Sequence, residues 1–371
     1  MRASNVAGVI FANTRDLLLG KLTSVRSMAS VPFGSRYRLI DFTLSNLVNA
    51  GITNIGVVTN GNYRSLMDHI GSGIAWDLDR KNKGLHIILP YETKGMGRYT
   101  GSVEAINSSM DFIDRCHAEY IMICESNLVA NIDFESVVDY HIKNEADVTV
   151  VYAHGKSPEG QVETMIAEID DGRVVKGYFS KESVEDCDYT LGVTVIGKEL
   201  LKSIIKNASM EEISSITSGV LAKKLNTLRV LGYKHNGFAS VIDSPKKYFD
   251  ANMKLLDAQV RKDLFNSDRP VFTKTRDDMP TRYGTKADVK NCFIANGCVI
   301  DGTVKNSILF RGVKVEKGAV VENSIIMQSG VIEKGANLKY VVADKNVVVG
   351  EDAVINGTEN RAFFIEKNQT V

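Results

Sequence analysis

Residues 6–34 read VAGVIFANTRDLLLGKLTSVRSMASVPFG, and the type of the first domain can be inferred from them. It begins with the apolar run Val6–Ala12, which predicts a buried β-strand. A loop follows at once, where a nucleotide-binding fold places the turn that holds phosphate groups. Such a turn needs glycines, because a backbone without side chains lets phosphate oxygens approach its amide groups closely. The run predicts a nucleotide-binding sheet, whereas the loop lacks the glycines that a triphosphate site requires.

Strand and helix patterns alternate onward from this run. Further strands are predicted at Ile55–Thr59, Leu85–Leu89, Tyr120–Cys124 and Val148–Ala153. Apolar residues recur at helical spacing between them, and Asp41 is predicted to be the N-cap of a helix over Phe42–Ala50. Alternating strands and helices favour a doubly wound, mostly parallel α/β sheet, with ligands at the carboxyl ends of its strands.

The middle of the chain predicts where this domain ends. Ser244–Ala258 is predicted to form one long helix with Pro245 in its first turn. Residues 259–288 lack a clear period and contain Pro270 and Pro280, which indicates an ordered linker. We therefore divide the chain into a Rossmann-like domain over 1–258, a linker over 259–288 and a second domain over 289–371.

The second domain has a different repeat. Apolar residues recur at six-residue intervals, as from Ile294 to Ile300 and from Val315 to Val321, with glycines nearby. This period predicts a left-handed parallel β-helix of hexapeptide repeats, whose coils stack to close a core. The period slips between Ile300 and Val315, as an insertion or a sheet edge would cause. An ordinary antiparallel sheet with coincidental spacing is the alternative.

Composition excludes several classes of protein. Lysine plus arginine equals aspartate plus glutamate, 45 against 45, so neither nucleic acid nor an anionic membrane is predicted as a partner. No run reaches the ~18 apolar residues of a membrane span, and the N-terminus lacks the layout of a signal peptide. The five cysteines are scattered and form no C-x-x-C pair, which favours free thiols in the cytoplasm over a zinc site.

One run carries a specific resemblance. Residues 31–46 read VPFGSRYRLIDFTLSN, which is similar to the VPFGGKYRLIDFxLSN run of sugar-nucleotide pyrophosphorylases. Leu191-Gly192-Val193 and Ala251–Leu256 are also similar, so the resemblance covers nearly the whole chain. Within this family the chain most resembles bacterial glucose-1-phosphate adenylyltransferase. The resemblance implies a nucleotidyltransferase sheet domain followed by the hexapeptide β-helix.

That chemistry has three requirements. Backbone amides must hold the phosphates, a cation must neutralise charge at the α-phosphorus, and carboxylates must hold the magnesium that binds the triphosphate. In the family, the loop GGxGxRLxPLTxxRAKPAV supplies the backbone amides and the cation, and two aspartates supply the carboxylates. The resemblance places these positions on residues of other types: Asn13, Thr14 and Asp16 for the glycines, Met28 for the lysine, and Asn127 and Val241 for the aspartates.

The resemblance also implies residues that still bind ligands. Candidates for substrate binding are Arg15, Arg26, Tyr99, Lys181 and Thr190, and candidates for effector binding are Arg36 and Arg38. The alternative for these basic residues is a solvated surface. Glu125 and Asp243 lie near the lost aspartates, so a rewired metal site is a second alternative. We otherwise predict no metal and no cofactor in this chain.

These departures resemble those of GlgD-type subunits, the non-catalytic, regulatory subunits of the family. The resemblance implies a cytoplasmic, inactive subunit in glycogen biosynthesis. It would modulate a catalytic paralogue within a heterotetramer, with small anionic effectors and with Mg²⁺ only at the catalytic partner. Two alternatives are a weakly active nucleotidyltransferase, which would use Glu125, Asp243, Arg15 and Arg26, and a hexapeptide acyltransferase. The acyltransferase is disfavoured because all six histidines precede the β-helix.

Overall fold

The structure is a computed structural model that describes residues 5–13, 16–89, 101–158, 164–180, 182–210, 213, 215–216 and 224–371. Within these residues, no helix is long and apolar enough to cross a membrane. The predicted site residues Thr14, Arg15, Tyr99 and Lys181 lie outside them.

A mixed sheet forms the centre of the first domain. The described strands of this domain are β1 (Val6–Phe11), β2 (Pro32–Phe33), β3 (Tyr37–Arg38), β4 (Asn54–Val58), β5 (Gly84–Ile88), β6 (Tyr120–Glu125), β7 (Leu128–Ala130), β8 (Val148–Gly155), β9 (Thr164–Asp170), β10 (Arg173–Ser180), β11 (Cys187–Gly197), β12 (Val230–Lys234) and β13 (Ala239–Val241). Strands β2 and β3 form one separate two-stranded sheet, and β7 and β13 form another. Within the described residues the main sheet has the order β5-β4-β1-β6-β11-β8-β12-β10-β9. Strands β5, β4, β1 and β6 are parallel, whereas β11 runs antiparallel to β6, to β8 and, at Tyr189, to β9.

The strands predicted from the apolar runs are confirmed, with ends shifted by one or two residues. Strand β1 is buried along its whole length, as expected for a central parallel strand that is covered on both faces. Its carboxyl end, together with the ends of β4 and β6, forms the edge where ligands bind in such sheets.

Helices cover the sheet. They are α1 (Leu39–Asn49), α2 (Arg64–Ile70), α3 (Ser102–Ser108), α4 (Met110–Arg115), α5 (Phe134–Lys143), α6 (Lys198–Met210), α7 (Pro245–Lys254) and α8 (Ala258–Leu264), with 3₁₀ turns at Asp16–Thr23, Met28–Ser30 and Ile74–Trp76. The predicted start of α1 is wrong. Asp41 lies inside the first turn, where its Oδ2 accepts a hydrogen bond from the Arg38 backbone N–H (3.0 Å).

The helix predicted over Ser244–Ala258 is interrupted. Ser244 and Pro245 begin α7 as expected, because the Ser244 hydroxyl accepts a hydrogen bond from the Lys247 backbone N–H (3.2 Å). Helix α7 ends at Lys254, and Asp257 then caps α8 by accepting a hydrogen bond from the Gln259 backbone N–H (2.7 Å). The cap begins a second helix, because the Asp257 side chain satisfies an N–H group that a continuous helix would bond internally.

Three parallel sheets form the second domain, as predicted for a β-helix. Their strands are β14 (Arg282–Tyr283), β15 (Asp288–Lys290), β16 (Phe293–Ile294), β17 (Val299–Ile300), β18 (Thr303–Lys305), β19 (Ile308–Leu309), β20 (Lys314–Val315), β21 (Val320–Glu322), β22 (Ile325–Ile326), β23 (Val331–Ile332), β24 (Asn337–Lys339), β25 (Val341–Ala343), β26 (Val348–Val349), β27 (Val354–Asn356) and β28 (Phe363–Ile365). Strand β14 begins ahead of residue 289, where the sequence pattern first becomes clear.

The slip that the sequence suggests between Ile300 and Val315 is not an insertion. Strands β18 and β19 fill this interval, and Val304 and Leu309 are fully buried in the coil. Val304 pairs with Val321, and Leu309 pairs with Ile326, so the sheets continue without a break. The coil here is merely shorter than the next, which changes the apparent period.

One apolar cluster joins the two domains. Phe33 and Tyr248 from the first domain lie in the same cluster as Phe310, Ile325 and Met327 of the β-helix, and all five are fully buried. The Tyr248 hydroxyl also donates to the Pro32 carbonyl (2.6 Å). Burial of side chains of this size contributes about 1.5–3 kcal/mol each. The two domains therefore share a core.

Candidate functional site

The side chains of Asn13 and Asp16 form hydrogen bonds at the loop after β1. Asp16 accepts hydrogen bonds from the Met28 backbone N–H at Oδ1 (2.6 Å) and from the Asn13 amide at Oδ2 (2.6 Å). Asn13 Oδ1 accepts from the Asn60 backbone N–H (3.0 Å) and from the Thr59 hydroxyl. The side chain at one predicted glycine position, Asn13, therefore connects the end of β1 to the end of β4, and the side chain at another, Asp16, bonds to Asn13 and to Met28.

Met28 lies at the predicted lysine position and is an interior residue. Its side chain is 1% exposed, and it belongs to the same apolar cluster as Leu19, Leu22 and Phe33. A thioether in such a cluster supplies packing and no positive charge. This position therefore provides no cation for a phosphate group.

Asn127 lies where the resemblance places the first magnesium aspartate. The residue is 2% exposed, and its Nδ2 donates to the Ile242 carbonyl (2.9 Å). The Ile242 backbone N–H donates in return to the Asn127 carbonyl (2.8 Å). The side chain thus ties the segment after β6 to the segment after β13, and its amide nitrogen rather than an oxygen faces the partner.

Val241 lies where the resemblance places the second aspartate. It ends β13, pairs with Leu128 and is 6% exposed within an apolar cluster. Magnesium requires oxygen ligands, usually carboxylates and waters. An amide that donates to a carbonyl and an isopropyl group do not fit this ion.

The two carboxylates proposed for a rewired site come from different segments, the end of β6 and the segment after β13. Glu125 ends β6 in register with Phe11 of β1 and packs against the backbone of Gly192. Asp243 is 4% exposed and lies near Lys247, whose pKa is lowered chiefly by burial. Within the described part of the chain, no group of three or more His, Cys, Asp or Glu side chains could hold a metal ion.

Thr190 is, besides Arg26, a candidate for substrate binding that the structure describes. It lies half-buried in β11, and its hydroxyl donates to the Met165 carbonyl at 3.4 Å, a long hydrogen bond. Met165 itself is 2% exposed on the neighbouring strand β9. The hydroxyl is therefore directed at the sheet backbone.

Arg26 contacts the second domain. Its Nη2 donates to both carboxylate oxygens of Asp344 (2.8 and 2.9 Å), and the two side chains are 2% and 1% exposed. Its other terminal nitrogen, Nη1, is buried and has no hydrogen-bond partner in the described residues. The guanidinium is thus held where the two domains meet, at the contact between Arg26 and Asp344, which we call the seam.

Arg38 and Arg36 differ in exposure. Arg38 is 9% exposed, and its Nη1 donates to the backbone carbonyl and the hydroxyl of Ser65 (both 2.8 Å). Burial lowers the pKa of Arg38 to about 10, against the opposing effect of Asp41. Arg36 is exposed, and its guanidinium carbon lies 5.6 Å from the centre of the Tyr37 ring.

Lys345 is a residue at this seam that sequence reasoning missed. Its pKa is lowered to about 7, first by burial and then by the positive charges of Arg38 and Arg26, against the opposing effect of Asp344. Lys367 lowers it further. Basic side chains from both domains therefore meet at the seam, close enough to influence one another.

A break in an apolar column could have revealed this position. Leu309, Ile326 and Ala343 are aligned in successive coils, so the residues that follow them, Phe310, Met327 and Asp344, are also aligned. Phe310 and Met327 are fully buried, and Asp344 is 1% exposed. A carboxylate in a column that is otherwise apolar indicates a buried partner of opposite charge.

Comparison with known proteins assigns the family. A nucleotidyl transferase family model matches residues 16–173, and a GlmU-like C-terminal hexapeptide model matches residues 277–368. The chain is 36% identical to the glycogen biosynthesis protein GlgD of Bacillus subtilis over 98% of this chain and 96% of that protein. It is 38% identical to GlgD of Geobacillus stearothermophilus over 86% and 83% of the two chains.

Catalytic relatives are also similar. The glucose-1-phosphate adenylyltransferase of Clostridium perfringens strain SM101 is 30% identical over 86% of this chain and 84% of that enzyme. The sheet domain and the hexapeptide β-helix agree with these similarities. The chain belongs to the glucose-1-phosphate adenylyltransferase family, within its group of glycogen biosynthesis proteins GlgD.

Proposed function

We propose that this chain is a non-catalytic subunit that modulates a catalytic glucose-1-phosphate adenylyltransferase paralogue during glycogen biosynthesis. One observation carries the proposal. The positions that should bind and activate ATP hold side chains that make structural contacts instead: Asp16 bonds the loop, Met28 and Val241 pack in apolar clusters, and Asn127 bonds Ile242.

The energetic argument follows from the reaction. Adenylyl transfer depends on electrostatic stabilisation of a transferring phosphoryl group and on a metal that holds the pyrophosphate. Each such device contributes several kcal/mol, and about 1.4 kcal/mol corresponds to a tenfold change in rate. A chain that lacks the loop glycines, the lysine and both carboxylates should have negligible turnover of its own.

The proposed partner is a catalytic paralogue in a hetero-oligomer, which we infer to be a heterotetramer in the cytoplasm. Mg²⁺ would be needed only at the catalytic subunit. The well-packed cores of both domains support this role, since a fold kept intact around an altered site indicates that its surfaces are what the protein uses.

We further propose that a small anion binds at the seam and changes the partner's response. Arg38 and Lys345 would contact it, with Arg36 at the exposed margin. The buried Nη1 of Arg26, which has no hydrogen-bond partner among the described residues, supports an anion here, because an unsatisfied charged donor is costly unless a ligand completes it. Asp344 already neutralises Nη2 of the same side chain, so the effector and Asp344 would share one guanidinium.

Two measurements test the proposal. The chain purified alone is assayed for pyrophosphate release from ATP and glucose-1-phosphate with Mg²⁺, and we expect no turnover above background. It is then co-expressed with the catalytic paralogue, and we expect co-purification and a changed rate or effector response. Turnover by the lone chain would instead support the weakly active nucleotidyltransferase, and absence of co-purification would contradict the modulatory role.

A further inference from the structure

The altered phosphate loop has a second property besides the loss of its glycines. Two backbone N–H groups at this edge of the sheet, those of Met28 and Asn60, are already bonded by side-chain oxygens of the loop. Asp16 Oδ1 accepts a hydrogen bond from the Met28 N–H at 2.6 Å, and Asn13 Oδ1 accepts one from the Asn60 N–H at 3.0 Å. Backbone N–H groups at such a loop are the donors that phosphate oxygens use.

The group that bonds Met28 is an anion. A carboxylate forms shorter and stronger hydrogen bonds than a neutral acceptor, and 2.6 Å is short for an N–H donor. The second oxygen of the same carboxylate is held by the Asn13 amide, also at 2.6 Å. A planar anion with both oxygens bonded therefore lies in the loop, supplied by the protein itself.

Neighbouring contacts fix this carboxylate in place. The Thr23 hydroxyl donates to the Asp16 backbone carbonyl, and the Asp16 backbone N–H donates to the Asn13 carbonyl (3.2 Å). Thr59 and Asn60 hold Asn13 from the end of β4. The arrangement thus joins four segments of chain, and it cannot open without breaking several hydrogen bonds together.

We propose that Asp16 is an internal anion that occupies the Met28 backbone donor at this edge of the sheet and thereby excludes polyphosphate ligands. Asn13 acts with it by holding the carboxylate and by taking the Asn60 N–H. The inference deepens the proposed function, on which it rests for the identity of the loop. It differs from a mere loss of glycines, because it predicts that removing these two side chains restores anion binding.

The test measures binding of inorganic tripolyphosphate, without a divalent metal, by isothermal titration calorimetry. Every variant also carries Lys345→Met, which weakens the separate basic cluster at the domain seam. In Asn13→Gly/Asp16→Gly both N–H donors become available and the negative charge is gone. We expect the dissociation constant to fall at least about tenfold from that of the Lys345→Met parent, which is ~1.4 kcal/mol.

Three further variants, each with one substitution added to Lys345→Met, separate the effect of charge from the effect of side-chain shape. Asp16→Asn keeps an oxygen acceptor of the same size and removes the charge. We therefore expect a smaller gain in affinity for tripolyphosphate, and this gain does not require the loop to change its conformation. Asp16→Glu keeps the charge, so we expect no gain. Asp79→Asn removes an exposed carboxylate elsewhere and should leave binding unchanged, which controls for net charge.

The outcomes are unambiguous. A folded double variant that binds tripolyphosphate no more tightly than its parent overturns the proposal, as does an equal gain in Asp79→Asn. If the double variant does not fold, Asp16→Asn decides, and no gain there also overturns it. None of these results concerns turnover by the unaltered chain, so a negative result in this experiment leaves the proposed modulatory function unaffected. That function is tested separately, because turnover by the lone chain would contradict it whatever the binding measurements give.

Discussion

Arg26 and Asp344, which are 318 residues apart, form a buried ion pair between the two domains, with Nη2 at 2.8 and 2.9 Å from the carboxylate oxygens. The Asp344 Oδ1 also accepts a hydrogen bond from the Lys345 backbone N–H (2.7 Å). Around the pair lie the apolar residues that the domains share, including Phe310 and Met327. The pair is therefore a charged contact inside a common core.

We expect Asp344→Asn to destabilise the protein strongly. It leaves the buried Arg26 guanidinium without a counter-charge, and breaking one side of a buried pair costs about 3–5 kcal/mol. Replacing both partners, as in Arg26→Met/Asp344→Leu, should cost much less, because no uncompensated charge remains. The free energy of unfolding from urea titration gives both values, and similar losses in the single and double variants would contradict this account.

A second ion pair between the domains provides the matched control. Lys21 Nζ lies 2.6 Å from Glu366 Oε1, but the two side chains are 63% and 44% exposed. Exposed pairs contribute about 0–1 kcal/mol because water and salt screen them. Glu366→Gln should therefore change the free energy of unfolding by less than about 1 kcal/mol, although it too removes a carboxylate at the seam.

The sequence predicts the fold well, for a physical reason. Strands such as β1 are long apolar runs, and the β-helix repeats a short spacing, so both patterns are local. The end of α7 could not be predicted as readily. It depends on whether Asp257 caps a second helix or continues the first, and both choices suit the apolar pattern.

The sequence predicts the site less completely. Resemblance locates the altered positions, but it does not reveal that Asp16 bonds Met28 or that Asn127 bonds Ile242. These contacts join segments that the fold brings together. Lys345 was missed for the same reason, since its lowered pKa depends on burial and on the charges of Arg26 and Arg38, which precede it by hundreds of residues in the chain.

Restoring the two aspartates should not restore a magnesium site. In Asn127→Asp/Val241→Asp, a carboxylate oxygen replaces the amide that donates to the Ile242 carbonyl, and a second carboxylate enters an apolar cluster. Each buried unsatisfied polar group costs about 1–3 kcal/mol, and more when it is charged. We expect a loss of at least about 2 kcal/mol in the free energy of unfolding and no pyrophosphate release with Mg²⁺.

Asn356→Asp is the control for this double variant. Asn356 ends β27 and is exposed, so the same change of amide to carboxylate should alter stability by no more than about 0.5 kcal/mol. Mg²⁺-dependent turnover in the double variant would contradict the view that these positions have been taken over by structural contacts.

Lys345 should make stability depend on pH in a defined direction. Its pKa is about 7 in the folded protein, well below the ordinary value near 10.5, so the unfolded chain binds more protons between these values. Stability gained from this residue therefore rises with pH over that window, and below about 7 the residue is charged in both states. We expect Lys345→Met to be more stable than the unaltered protein at pH 6, with an advantage that shrinks towards pH 9 in thermal unfolding. A constant difference would show that the lysine does not titrate there.

The same lysine should make anion binding at the seam depend on pH. Sulfate keeps its charge between pH 6 and 8, whereas Lys345 loses its proton on passing its pKa of about 7, so affinity should fall as pH rises through that value. Lys345→Arg stays charged and should remove this dependence, while Lys345→Met should bind weakly at both ends, about tenfold below the unaltered protein at pH 6. Arg26, Arg38 and Lys367 are common to all three proteins. Calorimetric titration with sulfate at constant ionic strength measures each affinity, and an equal fall with pH in Lys345→Arg would assign the dependence to a different group.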